Sequence, residues 1–177
     1  MISSRRDVLQ FGALTSLLGA IGHDAWAQAQ LESLKIITGF PPGGTSDAIC
    51  RRVSEKIAPT SYAKAAFVEN KTGAGGQIAI QFAKTAPADG TVLLQTPMSM
   101  LGIYPHIYKK LPYDPVKDLS PIVLACAAPL IMVVNPQLPV NNVQEFIALA
   151  KKQPGQLNYA NSGNGTTAHL AGELFKK

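Results

Sequence analysis

Three short stretches of this sequence combine glycines with hydroxyl side chains where a helix is predicted to begin. They read GFPPGGTSDA at residues 39–48, TGAGG at 72–76 and NSGNGTTAH at 161–169. A helix N-terminus offers unpaired backbone N–H groups and a partial positive charge, and glycine lets an anion come close to that backbone. The chemistry of these stretches is therefore anion binding. For any one of them alone, the alternative is that its glycines only shape a tight turn.

The residues beside the glycines distinguish phosphate from carboxylate. The first stretch has both glycines of a nucleotide P-loop, but Thr45 stands where that motif requires lysine. The second stretch has Ile78 in place of the third glycine of a dinucleotide-binding motif. A small carboxylate can be held by a few backbone N–H groups and hydroxyls, without an arginine. We therefore expect a small carboxylate and not a nucleotide.

Residues that could catalyse a reaction or ligate a metal ion are sparse. The sequence has no G-x-S-x-G elbow, no H-E-x-x-H pair and no C-x-x-C motif. We interpret His169 as packing or hydrogen-bonding on the last helix in preference to binding metal. Asp47 is interpreted as an acid at a helix start, with contact to a cationic ligand group as the alternative. We expect no catalytic residue, no metal and no cofactor.

The apolar pattern predicts the elements that position the first two loops. Strand, glycine loop, helix and strand follow one another, which is the order of βαβ units and predicts a parallel sheet covered by helices. In such a sheet the loops lie at the carboxyl ends of the strands, where ligands bind. The predicted strands cover residues 34–38, 65–69 and 91–96. One predicted helix begins near Ser46, and a second runs over residues 77–85.

The pattern after residue 96 is looser. The final helix, after the third loop, still has apolar residues to cover at Lys177, so we expect a fragment or a truncated reading frame. Cys50 and Cys126 are expected to be two buried free thiols. The remaining predicted elements are a short helix around Ser99 to Tyr108, two strands in tandem or one bent strand over Pro121 to Asn135, a helix over Asn142 to Gln153, and a strand over Leu157 to Ala160.

Residues 1–27 have the features of an export signal. Arg5 and Arg6 precede the apolar run Val8 to Ile21, and small residues around Ala27 offer a cleavage point. The start resembles a twin-arginine signal, with an ordinary Sec signal as the alternative. We expect cleavage near Ala27 and a periplasmic protein. The net charge of +5 is scattered, with no basic run interleaved with aromatic residues, so we expect no nucleic-acid partner.

Four ordered blocks resemble a known family. The blocks FPPGGTSDAICRRV, VENKTGAGGQIAIQFAKTAPADGTVLL, YDPVKDLSPI and LNYANSGNGTTAHLAGELF are similar to those of the tripartite tricarboxylate transporter substrate-binding proteins, the Bug or TctC-like family. The resemblance implies an α/β, type II periplasmic-binding-protein fold of two lobes. It also implies a first lobe at residues 28–125 and an incomplete second lobe that starts at 126–177.

The resemblance also implies a site and partners. A small carboxylate would be bound between the lobes by a monomer and delivered to a membrane permease of two subunits. Family members continue well beyond the length of this chain, so we expect this chain to be marginal or incompetent as a receptor. A reversible, carboxylate-dependent rise in its melting temperature would contradict that. The expected ligand-binding residues are Phe40, Pro42, Gly43, Gly44, Thr45, Ser46, Asp47, Gly75, Gly76, Thr96, Ser99, Ser162, Gly163, Asn164, Gly165, Thr166 and His169.

Two other functions stay open from the sequence. An exported enzyme that acts on small carboxylic acids would need a nucleophile or base in the cleft, and the sequence offers none. A non-functional remnant of a receptor gene would also account for the four blocks.

Overall fold

A three-stranded parallel sheet is the centre of the computed structural model, which describes residues 30–177. Strand β1 (Leu34–Thr38) lies between β2 (Ala66–Asn70) and β3 (Val92–Gln95). Both pairings are parallel, so the loops after β1 and β2 leave the sheet at the same edge. The parallel sheet predicted from the sequence is confirmed. The predicted export signal and its cleavage site lie outside the described residues.

The middle strand, β1, is buried because both of its faces are covered. Leu34, Ile36, Ile37 and Thr38 are 0 to 3% exposed. A central strand of a parallel sheet reads as an almost continuous apolar run for this reason. Leu34 and Ile36 pack with Cys50 in one cluster. A second cluster contains Ile80, Met100, Tyr104 and Tyr113.

Six α-helices accompany the sheet in residues 30–177. The first two follow β1 and β2, as the βαβ pattern predicts, and the second has the predicted bounds. The predicted helix around Ser99 to Tyr108 is two short helices instead of one. In chain order the helices are α1 (Thr45–Ile57), α2 (Gln77–Thr85), α3 (Met98–Gly102), α4 (Tyr104–Ile107), α5 (Val143–Lys152) and α6 (Thr167–Phe175). None of these helices, all within the described part, is long and apolar enough to cross a membrane.

The strand predictions for two regions are wrong. Residues 121–135 and 157–160 have no strand structure, and residues 121–134 are exposed throughout. Apolar sequence alone does not make a strand, because its backbone groups also need a neighbouring strand to pair with. Within residues 30–177 the sheet comprises only β1, β2 and β3.

The prediction of two buried thiols is half wrong. Cys50 is buried and free, whereas Cys126 is free but exposed, because it lies in the unpaired stretch 121–134. Burial raises the pKa of the Cys50 thiol to about 11, which makes it unreactive near neutral pH.

Candidate functional site

The loop after β1 leads directly into the open N-terminus of α1. Gly44 is the N-cap residue, and no side chain among residues 30–177 caps the helix. Gly43 has φ +85°, a backbone conformation that favours glycine. Gly43, Gly44 and Thr45 are exposed. The first-turn N–H groups of α1 are therefore open to an anion from outside.

The buried side chain of Asp47 fixes the shape of this first loop through hydrogen bonds. Its carboxylate accepts hydrogen bonds from the Gly43 backbone N–H at 2.9 Å, from Arg51 Nε at 2.9 Å and from Asn70 Nδ2 at 3.0 Å. Asn70 also donates to the Phe40 carbonyl at 2.9 Å. The hydrogen bond from Arg51 and that from Gly43 lower the Asp47 pKa to about 2. Asp47 is 3% exposed, and its geometry is that of a helix-start acid.

The turn after β2 touches the first loop through a close approach of two backbones. A Cβ placed on Gly39 would lie 2.6 Å from Gly76 Cα, a distance that no real side chain allows. The Phe40 and Met100 side chains fill the space beside Gly76. Gly76 has φ +93° and Gly75 has φ +63°. Both glycines are therefore required here by conformation and by contact.

The third loop, residues 161–166, lies against the same turn, although no strand precedes it in the described chain. A Cβ on Gly163 would lie 3.6 Å from Gly75 Cα. The Tyr108 hydroxyl donates to the Asn164 carbonyl at 3.1 Å, and Gly165 packs on the Tyr104 ring. The structure therefore brings all three glycine loops together, with the turn at residues 73–76 in contact with the other two.

The N-terminus of α6, unlike that of α1, is capped from within. The Thr166 hydroxyl donates to the Gly163 carbonyl at 2.7 Å and accepts from the His169 backbone N–H at 3.3 Å. His169 Nδ1 accepts from the Gly165 N–H at 3.2 Å. The interpretation of His169 as a hydrogen-bonding residue of the last helix agrees with this geometry. Thr166, 4% exposed, already uses its hydroxyl within the loop.

The remaining predicted site residues differ in their accessibility. Thr96 donates its hydroxyl hydrogen to Met100 Sδ at 2.7 Å, and Ser99 is 2% exposed, so both face the interior. Ser46 is half-buried. The predicted residues that are exposed are Pro42, Gly43, Gly44, Thr45, Ser162 and Asn164.

The sequence reasoning missed four residues that hold the loops. Asn70 and Arg51 bond Asp47, and Tyr104 and Tyr108 contact the second and third loops. Tyr104 begins α4 and Tyr108 directly follows its last residue, and only the folded chain shows what the two side chains meet. Within residues 30–177 no group of three or more His, Cys, Asp or Glu side chains could hold a metal ion.

Comparison with known proteins identifies the family. The family model described as "Tripartite tricarboxylate transporter family receptor" (TctC) matches residues 49–177. The chain belongs to this family. A UPF0065 protein of Bordetella pertussis is 36% identical over 143 residues, and the match covers 81% of this chain and 44% of the relative. Protein BugT of the same organism is 33% identical over 144 residues, with the same coverage.

Solved structures of similar proteins have the same fold. An R. palustris protein with adipate matches with a TM-score of 0.78 and 28% identity over 85% of this chain. MatC from Rhodopseudomonas palustris with bound malate matches with a TM-score of 0.73 and 26% identity. The periplasmic binding protein BugD matches with a TM-score of 0.69 and 29% identity. The predicted α/β periplasmic-binding-protein fold is confirmed. The chain spans about half the length of these relatives, 44 to 49%.

Proposed function

We propose that this protein is a periplasmic solute receptor, which binds a small carboxylate and delivers it to the membrane permease of a tripartite tricarboxylate transporter. Membership of the TctC receptor family supports the role of receptor. The similarity to proteins solved with adipate and with malate supports a carboxylate ligand. Delivery to a permease and location in the periplasm follow from the role of such receptors.

The uncapped N-terminus of α1 is the observation that carries this proposal. Gly43, Gly44 and Thr45 are exposed, and no described side chain occupies the first-turn N–H groups. These groups suit a carboxylate, because several of them together satisfy two oxygens that share one charge. Arg51, the nearby guanidinium, already donates to Asp47. The ligand charge would therefore be balanced by backbone dipoles.

The proposed site is the place where the three glycine loops meet. We assign residues 28–125 to a first lobe and 126–177 to the start of a second, so that the first and third loops come from different lobes. The exposed residues of these loops would contact the ligand directly. Asp47, Thr96, Ser99, Thr166 and His169, which bond within the protein or lie buried, would shape the site from behind.

A backbone substitution tests the proposal. Thr45→Pro removes one N–H donor at the first position of α1, where proline fits, because Gly44 before it is extended with φ −78° and ψ 171°. In the 15N-labelled chain, we expect adipate or malate to shift the amide signals of Gly43 to Ser46 in a saturable way. A half-site of this kind would bind in the range of roughly 1 mM, and Thr45→Pro would weaken it several-fold.

Val143→Pro is the matched control. It places proline at the first position of α5, whose N-cap Asn142 is likewise extended, with φ −152° and ψ 172°. It should fold and bind as the unmodified chain does. Non-saturable shifts up to high millimolar ligand would refute the proposed site, as would equal weakening by Thr45→Pro and Val143→Pro. A second control, sodium chloride at equal ionic strength, separates binding from screening.

A further inference from the structure

Two tyrosines connect the second and third glycine loops. The Tyr104 hydroxyl donates to the Gly75 carbonyl at 3.0 Å, and the Tyr108 hydroxyl donates to the Asn164 carbonyl at 3.1 Å. The two rings pack against each other, with centroids 4.9 Å apart and planes tilted by 54°. One pair of side chains therefore holds both loops.

At Gly165 the third loop fits against this pair without space for a side chain. A Cβ on Gly165 would overlap Ile107 and would lie 3.1 Å from Tyr104 Cε1. A Cβ on Gly163, 3.6 Å from Gly75 Cα, would be in ordinary van der Waals contact, but Gly163 has φ +128°, a conformation that favours glycine. Gly165 therefore serves a second purpose beside an open backbone, since it lets the loop lie flat on the aromatic surface.

The two tyrosines have different roles in this contact. Tyr104 is 0% exposed and belongs to the core cluster with Ile80 and Met100, so it is fixed. Tyr108 is half-buried, and its hydroxyl reaches a carbonyl of an exposed loop. Residues 121–135 and 157–160, which precede the third loop, form no strand in the described chain. In the described chain the third loop is therefore held by its contacts with the tyrosines, Ile107 and Gly75, and not by strand pairing.

We propose that Tyr104 and Tyr108 form a latch, in which Tyr104 is the fixed half and Tyr108 is a positioning residue for the third loop. The hydroxyl of Tyr108 holds the Asn164 carbonyl, and through it sets the distance between the third loop and the turn at residues 73–76. The latch is a property of the protein without ligand. Only its effect on carboxylate binding rests on the proposed function.

Amide hydrogen exchange tests the latch directly. Tyr108→Phe removes only the hydroxyl, and we expect the Gly165 and Thr166 amides to exchange roughly fivefold faster, which corresponds to the loss of one net hydrogen bond. The matched control is Tyr62→Phe, since the Tyr62 hydroxyl also donates to a backbone carbonyl, that of Gly90, at 3.0 Å. The control should leave exchange at both loop amides unchanged.

A second variant opens the same contact by steric overlap. Gly165→Ala places a methyl group against Ile107 and, because φ is +77° there, also strains the backbone, so we expect exchange at Thr166 to be at least as fast as in Tyr108→Phe. Unchanged exchange in Tyr108→Phe would overturn the latch. An equal increase in Tyr62→Phe would also overturn it, because the effect would then be a general loss of stability.

Adipate titrations of the same proteins separate the latch from the proposed function. We expect apparent affinity to fall roughly threefold to tenfold in Tyr108→Phe and to stay the same in Tyr62→Phe. If the unmodified chain itself gave no saturable shifts, the proposed carboxylate site would fail, while the exchange data would still decide the latch. Faster exchange in Tyr108→Phe with unchanged adipate affinity would overturn the effect of the latch on carboxylate binding, while the latch itself would stand.

Discussion

The two helix starts at the glycine loops, those of α1 and α6, look alike in sequence and differ in their hydrogen bonds. Both have glycine followed by hydroxyl residues, GGTSD and NGTTA. In α6 the N-cap is Thr166, whose hydroxyl accepts from the helix backbone. In α1 the N-cap is Gly44, and Thr45 comes one residue later, inside the helix, where its hydroxyl forms no cap bond. A shift of one residue therefore leaves α1 open and closes α6.

The largest expected effect concerns the backbone contact that places the α1 loop. Gly39→Ala should lower the free energy of unfolding by about 3 kcal/mol, because its Cβ would meet the Gly76 backbone, which cannot move aside as a side chain could. Urea denaturation measures the difference. Gly102→Ala is the control, since no atom lies within 4 Å of the added Cβ. Equal small effects in the two variants would mean that the loops do not pack as described.

The next effect concerns the carboxylate under the α1 loop. Asp47→Asn should lower the melting temperature by several degrees at neutral pH, because the hydrogen bond donated by Arg51 would then have a neutral acceptor in place of a carboxylate. The folded pKa of Asp47, about 2, is below the ordinary 3.8, so its stabilisation is present above the ordinary value and is lost as pH falls from 3.8 towards 2. The difference in melting temperature between the unmodified protein and Asp47→Asn should therefore narrow as the pH falls from 3.8 towards 2.

Glu173 on α6, the other helix of the comparison, provides a matched control for the acid titration of Asp47. Glu173 on α6 is partly exposed and bonds Lys176, an ion pair at the surface that contributes little to stability. Glu173→Gln should leave the melting temperature nearly unchanged at neutral pH. A difference between Asp47→Asn and the unmodified protein that stayed constant down to pH 2 would refute the role given to the carboxylate.

The cap itself gives a smaller effect. Thr166→Ala should destabilise the protein by about 1 kcal/mol, because α6 loses its N-cap hydroxyl, whereas Thr45→Ala should have an effect of no more than a few tenths. Thermal unfolding by circular dichroism measures both. A larger effect at Thr45 than at Thr166 would reverse the comparison between the two helix starts.

Local sequence was enough to predict much of the fold but not the contacts between the loops. The strand Leu34–Thr38 and the helix Gln77–Thr85 were predicted with their observed bounds, since each has a clear apolar period and a glycine or proline boundary. The strand prediction for residues 121–135 failed because a strand also depends on a partner distant in sequence. The latch of Tyr104 and Tyr108 could not be predicted for the same reason.

The sequence predicted the three glycine loops of the site, but not which of their helix starts is capped. All three glycine loops were identified from composition, and the structure brings them together at the turn containing Gly75 and Gly76. Their hydrogen-bonding state could not be read from composition, because a cap depends on which residue takes the N-cap position. Helix boundaries predicted from sequence are uncertain by more than the single residue that separates Gly44 from Thr45.

The smallest expected effect would close the α1 loop by design. Gly44→Ser places a hydroxyl at the N-cap, where φ is −78° and the nearest atom to the new Cβ is the Pro41 carbonyl oxygen at 3.6 Å, so the side chain fits. The new cap should stabilise the protein by a few tenths of a kcal/mol. It should also weaken the response to adipate, because the serine oxygen would occupy a first-turn N–H group. Gly102→Ser, on α3, is the control for an added hydroxyl. Unchanged adipate shifts in a measurably stabilised Gly44→Ser protein would show that the ligand does not use the donors the cap takes.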